Sequence, residues 1–190
     1  MTDESHAWCW GAFEGMEQGE TLDGSPYGPV RVAAMPGIVN VAAGFAHVCV
    51  ATLDEQVYCF GDNTFGQLGD NTYTSRWTLQ PVVGNFPLAM VYAAGYRTCA
   101  LTQEGKIYCW GCELFSQTGD TCVYHNAQPV EKPFLEQAVD LSMSPSHACL
   151  TEFLGHGSVF CWGANDYGQL GNGETADSTA PVLVVDPTDD

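Results

Sequence analysis

The stretch CALTQEGKIYCWG, residues 99–111, has the sequence pattern of a complete hairpin. Apolar and polar residues alternate around the turn at residues 103–105, and a glycine stands where a three-residue turn requires left-handed backbone. Counting outward from this turn places Cys99 directly opposite Cys109. Cysteines opposed on adjacent antiparallel strands have the separation that a disulfide requires. The stretch therefore predicts a β-hairpin closed by one disulfide.

Two further stretches repeat this hairpin, at residues 47–61 and 147–163. The turn of the last copy is longer by one residue on each side, so its two cysteines still face each other. The alternative is a set of reduced cysteines that pack as small apolar side chains. The predicted disulfides are Cys49–Cys59, Cys99–Cys109 and Cys149–Cys161.

A Cys-aromatic-Gly element recurs along the whole chain with a period of about 50 residues. Such a period predicts a propeller or solenoid of small sheets, in which each repeat buries its apolar face against the next. We therefore expect one all-β repeat array whose first hairpin is incomplete. The cysteines of the element are Cys9, Cys59, Cys109 and Cys161, and the expected repeats span approximately 1–41, 42–91, 92–140 and 141–190.

The most complete repeat reads AAGFAHVCVATLDEQVYCFGDNTFGQLGD, at residues 42–70. Parts of it return as AAGYRTCALTQEGKIYCWG at 93–111 and VFCWGANDYGQLGNG at 159–173. These residues resemble the regulator of chromosome condensation repeat family, whose members fold as β-propellers, and the cysteine pairing resembles that of secreted bacterial members. The resemblance implies a partial propeller or open arc of about four repeats with disulfide-clamped hairpins. It also implies a rigid disc whose loops bind a protein partner.

The first repeat lacks the strand that precedes the Cys-aromatic-Gly element in the others, because Thr2 aligns with Thr102 at a hairpin tip. Three explanations are open at this point. The chain is a piece of a larger propeller, or copies of it complete a ring or filament by sharing strand edges, or the hairpin is simply incomplete. In the last case Cys9 is predicted to be an unpaired or intermolecular thiol. An unpaired strand edge is a template for strand addition, which gives self-assembly a physical basis.

The segment after the third Cys-aromatic-Gly element contains two additional cysteines, Cys112 and Cys122. Taken alone, the pair Cys109 and Cys112 is typical of a redox site or of half a zinc site. The repeat instead assigns Cys109 to Cys99 and leaves the two additional cysteines to each other. We predict that this fourth disulfide clamps a loop whose Gln-Leu-Gly turn has been lost, with zinc binding and redox chemistry as the alternatives.

Composition restricts the partners and the compartment. The chain has 23 acidic and 5 basic residues, a formal net charge of −18, which repels phosphate backbones and argues against nucleic-acid binding. No apolar run reaches the ~20 residues of a membrane span. Nine cysteines, most of them regularly paired, indicate an oxidising compartment. We expect an extracellular or cell-surface (secreted) protein whose signal peptide lies outside this numbering.

Catalytic motifs are missing from the sequence, which has no serine elbow, phosphate loop or HExxH. We expect no enzyme activity, no cofactor and no metal. His47 and His147 recur at one repeat position, where Arg97 stands in the middle copy, and we expect such imidazoles to bond to the backbone of a neighbouring blade. His125 is assigned to a turn. The recurring aromatic residues are expected in the core between blades: Trp10, Phe60, Trp110 and Trp162.

Aromatic side chains in the variable loops are the best candidates for a binding surface, because loops on a rigid scaffold commonly carry function. The favoured function is a non-catalytic extracellular module that presents these loops to a protein or glycan partner. A structural subunit that assembles with copies of itself is the alternative, and enzyme or nucleotide-exchange activity has the least support. The candidate binding residues are Phe65, Tyr73, Trp77, Phe115, Tyr124 and Tyr167.

Overall fold

The structure, a computed structural model, describes residues 4–10, 30–84, 87–115, 122–132, 137–153 and 157–185. Within these ranges the chain forms fourteen strands and no helix. None of the described residues therefore belongs to a helix that is long and apolar enough to cross a membrane. The strands are β1 (Glu4–Cys9), β2 (Val30–Pro36), β3 (Ile38–Ala43), β4 (His47–Thr52), β5 (Val57–Gly61), β6 (Arg76–Pro81), β7 (Leu88–Ala94), β8 (Arg97–Thr102), β9 (Ile107–Phe115), β10 (Cys122–Glu131), β11 (Ala138–Met143), β12 (His147–Glu152), β13 (Val159–Gly163) and β14 (Ser178–Leu183).

The strands are arranged as three four-stranded antiparallel sheets and one two-stranded sheet. Each larger sheet follows chain order, as the blades of a propeller do. We call them blade 1 (β3–β6), blade 2 (β7–β10) and blade 3 (β11–β14), and we call β1 with β2 the half-blade. The boundaries of the sequence repeats, at residues 42, 92 and 141, each fall inside the first strand of a blade. The expected all-β propeller fold is confirmed.

The central hairpin of each blade has the register that its cysteine spacing predicts. Cys99 lies opposite Cys109 and is bonded to it, and the equivalent cysteines of blades 1 and 3 are paired in the same way. Gly105 adopts φ of +78°, the left-handed conformation expected in the turn of blade 2. In blade 1 this place is taken by Glu55 at φ of +63°, so glycine is favoured there but not required.

Neighbouring blades are held together by apolar clusters that include one large aromatic side chain from each later blade. Trp110 of blade 2 packs with Val57 and Leu68 of blade 1, and Trp162 of blade 3 packs with Leu101 of blade 2. Both indoles are completely buried, and each removes a large apolar area from water. The blades are therefore fixed to each other by the aromatic position that recurs beside the cysteines.

Trp10 does not follow this rule, and the prediction that it packs in the core is wrong. Its side chain is 72% exposed, whereas Phe60 at the equivalent position of blade 1 is 4% exposed. Trp110 is covered because it lies against the loop of the preceding blade, and no preceding loop lies against Trp10 among the described residues.

The half-blade corresponds to the last two strands of a complete blade. Cys9 lies opposite Val30, as Cys109 lies opposite Val130. Ala7 of β1 packs in one apolar cluster with residues of blade 1. Cys9 has no disulfide partner among the described residues, and its partial burial raises the thiol pKa. A raised pKa lowers the thiolate fraction and hence the reactivity of this cysteine.

Candidate functional site

The loop between β5 and β6, residues 62–75, is built around one buried asparagine. The side-chain amide of Asn63 donates to the carbonyl oxygens of Thr72 and Thr74, at 3.0 and 3.3 Å, and its oxygen accepts from the Leu68 backbone at 2.9 Å. A fully buried amide with its hydrogen bonds made is a rigid support. The Gly-x-Asn-x-x-Gly-Gln-Leu-Gly motif therefore encodes a loop of fixed shape.

This loop is also hydrogen-bonded to side chains of blade 2. The Gln67 carbonyl accepts one hydrogen bond from Trp110 Nε1, at 2.9 Å, and another from Thr98 Oγ1, at 2.8 Å. A Cβ at Gly66 would lie 2.5 Å from Ala127 Cα, so only glycine allows this close approach. The loop between β5 and β6 of blade 1 is thus part of the seam between the two blades.

His47 completes the seam. Since the Thr98 hydroxyl donates to Gln67, His47 Nε2 must donate to Thr98 Oγ1, at 2.8 Å, which fixes the neutral tautomer. Burial lowers the pKa of His47 to about 4, and the nearby Asp62 carboxylate opposes this shift. The expected bond to a neighbouring backbone is replaced here by a bond to a neighbouring side chain.

The other two residues at this repeat position bond within their own blade. His147 Nδ1 lies 2.8 Å from Ser144 Oγ of blade 3. Arg97 donates to the carbonyl oxygens of Cys112 and Glu113, which belong to β9 of its own blade. Blade 2 thus replaces the histidine with a longer side chain that holds its extended third strand.

A buried ion pair lies beside Arg97. Lys132 Nζ is 2.6 Å from Glu113 Oε2, and both side chains are almost fully buried. Burial lowers the pKa of Arg97 to about 10, and Glu113 opposes this shift, so the guanidinium remains charged at neutral pH. Because Lys132 and Glu113 pair with each other and Arg97 donates to backbone carbonyl oxygens inside the blade, we assign the cluster a structural role.

Six ring side chains from blades 1 and 2 form a continuous surface above this seam. Phe65 stands edge-on to Tyr96, with ring centroids 5.1 Å apart, and Phe45 contacts the same tyrosine at 5.5 Å. His125 joins Phe65 at 6.1 Å and Tyr73 at 5.5 Å. Edge-to-face contacts at these distances are favourable. We call this set the aromatic surface: Phe45, Phe65, Tyr73, Trp77, Tyr96 and His125.

The aromatic surface contains an open cavity of about 370 Å³. Phe65, Trp77 and Tyr96 provide its aromatic walls, and among the described lining residues Asp62 supplies a carboxylate. Trp77 is 45% exposed. The cavity therefore combines accessible aromatic rings with a carboxylate on a loop whose shape is fixed by the hydrogen bonds of Asn63.

The structure brings together three of the six candidate binding residues, namely Phe65, Tyr73 and Trp77. Tyr124 lies in β10 and lines a separate cavity of about 200 Å³. Tyr167, in the loop between β13 and β14, is 93% exposed. Phe115 ends β9, and its side chain lies outside the described residues. The candidates therefore do not form one site.

Three members of the aromatic surface were not among the candidates. Phe45 and Tyr96 each follow an Ala-Ala-Gly triplet in their repeats, a shared signal that could have identified them. The assignment of His125 to a turn is wrong, because it lies in β10 and pairs with Cys112 of β9. Strand β9 continues past the Cys-aromatic-Gly element, and a disulfide joins its Cys112 to Cys122 at the start of β10.

The cysteine pairs are those that the repeat phase predicts. Cys109 is bonded to Cys99 and not to Cys112. Residues 116–121, where the Gln-Leu-Gly turn is replaced, lie outside the described part of the chain. Among the residues that are described, no group of three or more histidine, cysteine, aspartate or glutamate side chains is arranged to hold a metal ion.

Comparison with known proteins gives matches to two repeat models and to solved structures of one fold. Residues 38–67 and 91–117 match a regulator of chromosome condensation (RCC1) repeat model, and residues 156–190 match a second model of the same description. Human WBSCR16 is 20% identical with a TM-score of 0.73, over 98% of this chain and 50% of that one. Yeast RCC1 (Prp20), in its structure with bound Kap60, is 15% identical with a TM-score of 0.74, over 97% of this chain and 45% of that one.

A further structure of Prp20p from Saccharomyces cerevisiae is 16% identical with a TM-score of 0.73, over 97% of this chain and 47% of that one. That structure was determined together with the binding properties of Prp20p towards Gsp1p and histones. The chain spans about half the length of these similar structures. At such low identity the likeness establishes the propeller fold alone.

Proposed function

We propose that this chain, which carries regulator of chromosome condensation repeats folded as propeller blades, is a non-catalytic interaction module that binds a protein or glycan partner through its aromatic surface. The observation that carries the proposal is the cluster of six ring side chains around the 370 Å³ cavity. An aromatic cluster on a rigid scaffold is typical of binding hot spots.

The exposure of the aromatic surface supports this proposal. Phe45 is 61% exposed, Tyr73 53% and Trp77 45%, although each is large and apolar enough to gain free energy from burial. A contiguous patch of exposed apolar groups often marks an interaction site, whereas single exposed apolar residues are ordinary. A partner that covered these rings would remove a large apolar area from water in one step.

The comparisons favour a protein as the partner. Yeast RCC1 (Prp20) is described in complex with Kap60, and Prp20p is described as binding Gsp1p and histones. Propellers of this type therefore serve as protein-binding scaffolds.

The compartment proposed for this function is extracellular or the cell surface, as for secreted bacterial members of the family. Four disulfides among the described residues support it, because such bonds persist in oxidising environments. The proposal also excludes catalysis, so we expect no turnover of a substrate by this module.

A binding comparison between surface variants tests the proposal. Wild-type protein, Trp77→Ala and the matched control Phe153→Ala are immobilised and probed with an extracellular protein fraction and with a glycan array. Phe153 is 74% exposed at a hairpin tip of blade 3, outside the aromatic surface. We expect Trp77→Ala to weaken partner binding by about tenfold or more, as hot-spot truncations do, and Phe153→Ala to leave it unchanged. Equal binding by both variants would contradict the proposal.

Self-assembly is a second candidate, and one observation favours it. Among the described residues β1 pairs only with β2, so the other edge of β1 is open to strand addition. Such an addition would place Cys9 beside the incoming strand. Measurement of the mass in solution under oxidising conditions tests this candidate, and a strictly monomeric protein at high concentration would exclude it.

A further inference from the structure

We infer that the cavity in the aromatic surface binds a cationic side chain, a lysine ammonium or an arginine guanidinium, of a basic protein partner. The inference rests on the proposed function, because it names the chemistry of the partner at the same site. It goes further by requiring a carboxylate, Asp62, as well as the aromatic rings.

The walls of the cavity are suited to a cation. Phe65 and Tyr96 meet at an interplanar angle of 69°, so that the two rings form adjoining walls, and Trp77 contributes a third aromatic group. The face of an aromatic ring carries negative electrostatic potential and attracts an ammonium or a guanidinium group within about 6 Å. The aliphatic stem of the same side chain would pack on the rings as an apolar group.

Asp62 supplies a negative charge that no cation of the described chain neutralises. Its carboxylate accepts only from neutral groups, at 2.7 Å from Thr64 Oγ1, 3.1 Å from Ser75 Oγ and 2.6 Å from Gln67 Nε2. The ion pairs found among the described residues involve other carboxylates, those of Glu131 and Glu113. These bonds hold Asp62 in place while its charge remains available to a ligand.

The remaining lining of the cavity favours a cation over a sugar. Apart from Asp62, the side chains that line it with a hydrogen-bonding group are those of Thr64, Tyr96 and Trp77, and Trp77 has only its indole N–H to donate. A sugar ring needs several donors and acceptors for its hydroxyl groups, and the Asp62 oxygens already accept from three side chains. The formal net charge of −18 also attracts basic partners and repels acidic ones.

Blade 3 contains the same loop without the two decisive residues. Its Asn165 makes the same support bonds as the asparagine of blade 1. Ala164 takes the position of Asp62, and Thr179 takes that of Trp77. Asp62→Ala and Trp77→Thr therefore introduce residues that the same loop and strand already accommodate in blade 3.

The test is a nuclear magnetic resonance titration of the full chain, observed at the indole N–H of Trp77. The probes are Nα-acetyl-arginine amide and Nα-acetyl-lysine amide, and Nα-acetyl-citrulline amide is the neutral isostere of the arginine probe. We expect a saturable shift with both cations and about tenfold weaker binding of citrulline. Asp62→Ala is expected to weaken cation binding by about tenfold. Asp62→Asn, which keeps the size of the side chain, is expected to weaken cation binding to the same degree. It provides the test if the alanine variant does not fold.

Several results would overturn the inference. They are the lack of a saturable shift up to roughly 100 mM of either cation, equal affinity for arginine and citrulline, and unchanged cation binding in folded Asp62→Asn. Saturable binding of a neutral methyl glycoside at Trp77 without cation binding would also overturn it. That outcome leaves the proposed function intact, whereas the proposed function fails if Trp77→Ala does not weaken partner binding, whatever the titration shows.

Discussion

The loops that follow the third strands of blades 1 and 3, residues 62–75 and 164–177, have the same internal support and different surroundings. In each, a buried asparagine side chain donates to two backbone carbonyls and accepts from the leucine of the Gln-Leu-Gly turn. Both leucines are completely buried. The shape of the loop is therefore encoded within the repeat and does not depend on its neighbours.

What differs is the contact that each loop makes with other parts of the molecule. Phe65 of the first loop packs against Tyr96 and His125 of blade 2, whereas Tyr167 at the same position of the second loop is 93% exposed. The motif therefore specifies the shape of the loop, while the neighbouring blade and the variable positions turn one of the two loops into a candidate binding site. Four changes test this distinction.

The largest effect is expected at Trp110, which joins the first loop to blade 2. Trp110→Ala removes a completely buried indole and its 2.9 Å hydrogen bond to the Gln67 carbonyl. We expect a loss of about 4 kcal/mol in the free energy of unfolding, measured by urea denaturation. Trp77→Ala, a truncation of a half-exposed indole on the same pair of blades, should cost about 1 kcal/mol or less. Similar losses for both variants would mean that the seam does not hold the first loop.

The pH dependence of stability is expected to report on the same seam through His47. Its pKa is lowered from 6.5 to about 4 in the folded protein, so between these values the unfolded chain binds the additional proton. The contribution of His47 to the free energy of unfolding is therefore fully present above pH 6.5. It is lost as the pH falls towards 4, and the total loss is about 3 kcal/mol. The physical reason is that burial removes the charged imidazolium from water, and the proton added at Nδ1 would find no acceptor among the described residues.

The control for this prediction is His47→Gln, which removes the titrating group and keeps an N–H donor. Urea denaturation at pH 7 and at pH 4 should show that the stability difference between wild type and variant shrinks, or changes sign, in acid. An equal pH dependence of both proteins would show that other groups, chiefly carboxylates, account for any acid destabilisation.

A matched pair of glycines is expected to give the next largest difference. Gly66 and Gly168 adopt φ of +81° and +75°, so an alanine at either position is strained by about 1 kcal/mol. A Cβ at Gly66 would also meet Ala127 Cα at 2.5 Å, whereas a Cβ at Gly168 comes no closer than 4.0 Å to Glu174 O. We expect Gly66→Ala to cost about 2 kcal/mol more than Gly168→Ala in thermal or urea unfolding. Equal costs would show that the loop can move away from blade 2 without loss.

The parts of the fold that could be predicted from sequence are those fixed by local spacing. The opposition of Cys99 and Cys109 follows from counting residues across one short turn, and the blades follow from the repeat of that hairpin. The location of the module and its lack of catalysis stay predictions, because neither follows from the arrangement of its strands.

The aromatic surface could be predicted only in part, because it joins residues that are distant in sequence. Phe65 and Tyr73 lie in one loop of blade 1, but Tyr96 and His125 come from two different strands of blade 2. Their contact depends on how one blade packs on the next, which no local pattern specifies. The misplacement of Trp10 has the same origin, since burial of that position depends on the preceding loop.

The smallest effect compares the two aromatic residues at the tip of the loops. Phe65→Ala removes edge-on contacts with Tyr96 and His125, at 5.1 and 6.1 Å, and should cost about 1 kcal/mol in urea denaturation. Tyr167→Ala removes a side chain that is 93% exposed, and should change stability by less than about 0.5 kcal/mol. Equal effects would mean that the contacts of Phe65 do not stabilise the fold. The two loops would then differ in their candidate binding residues and not in stability.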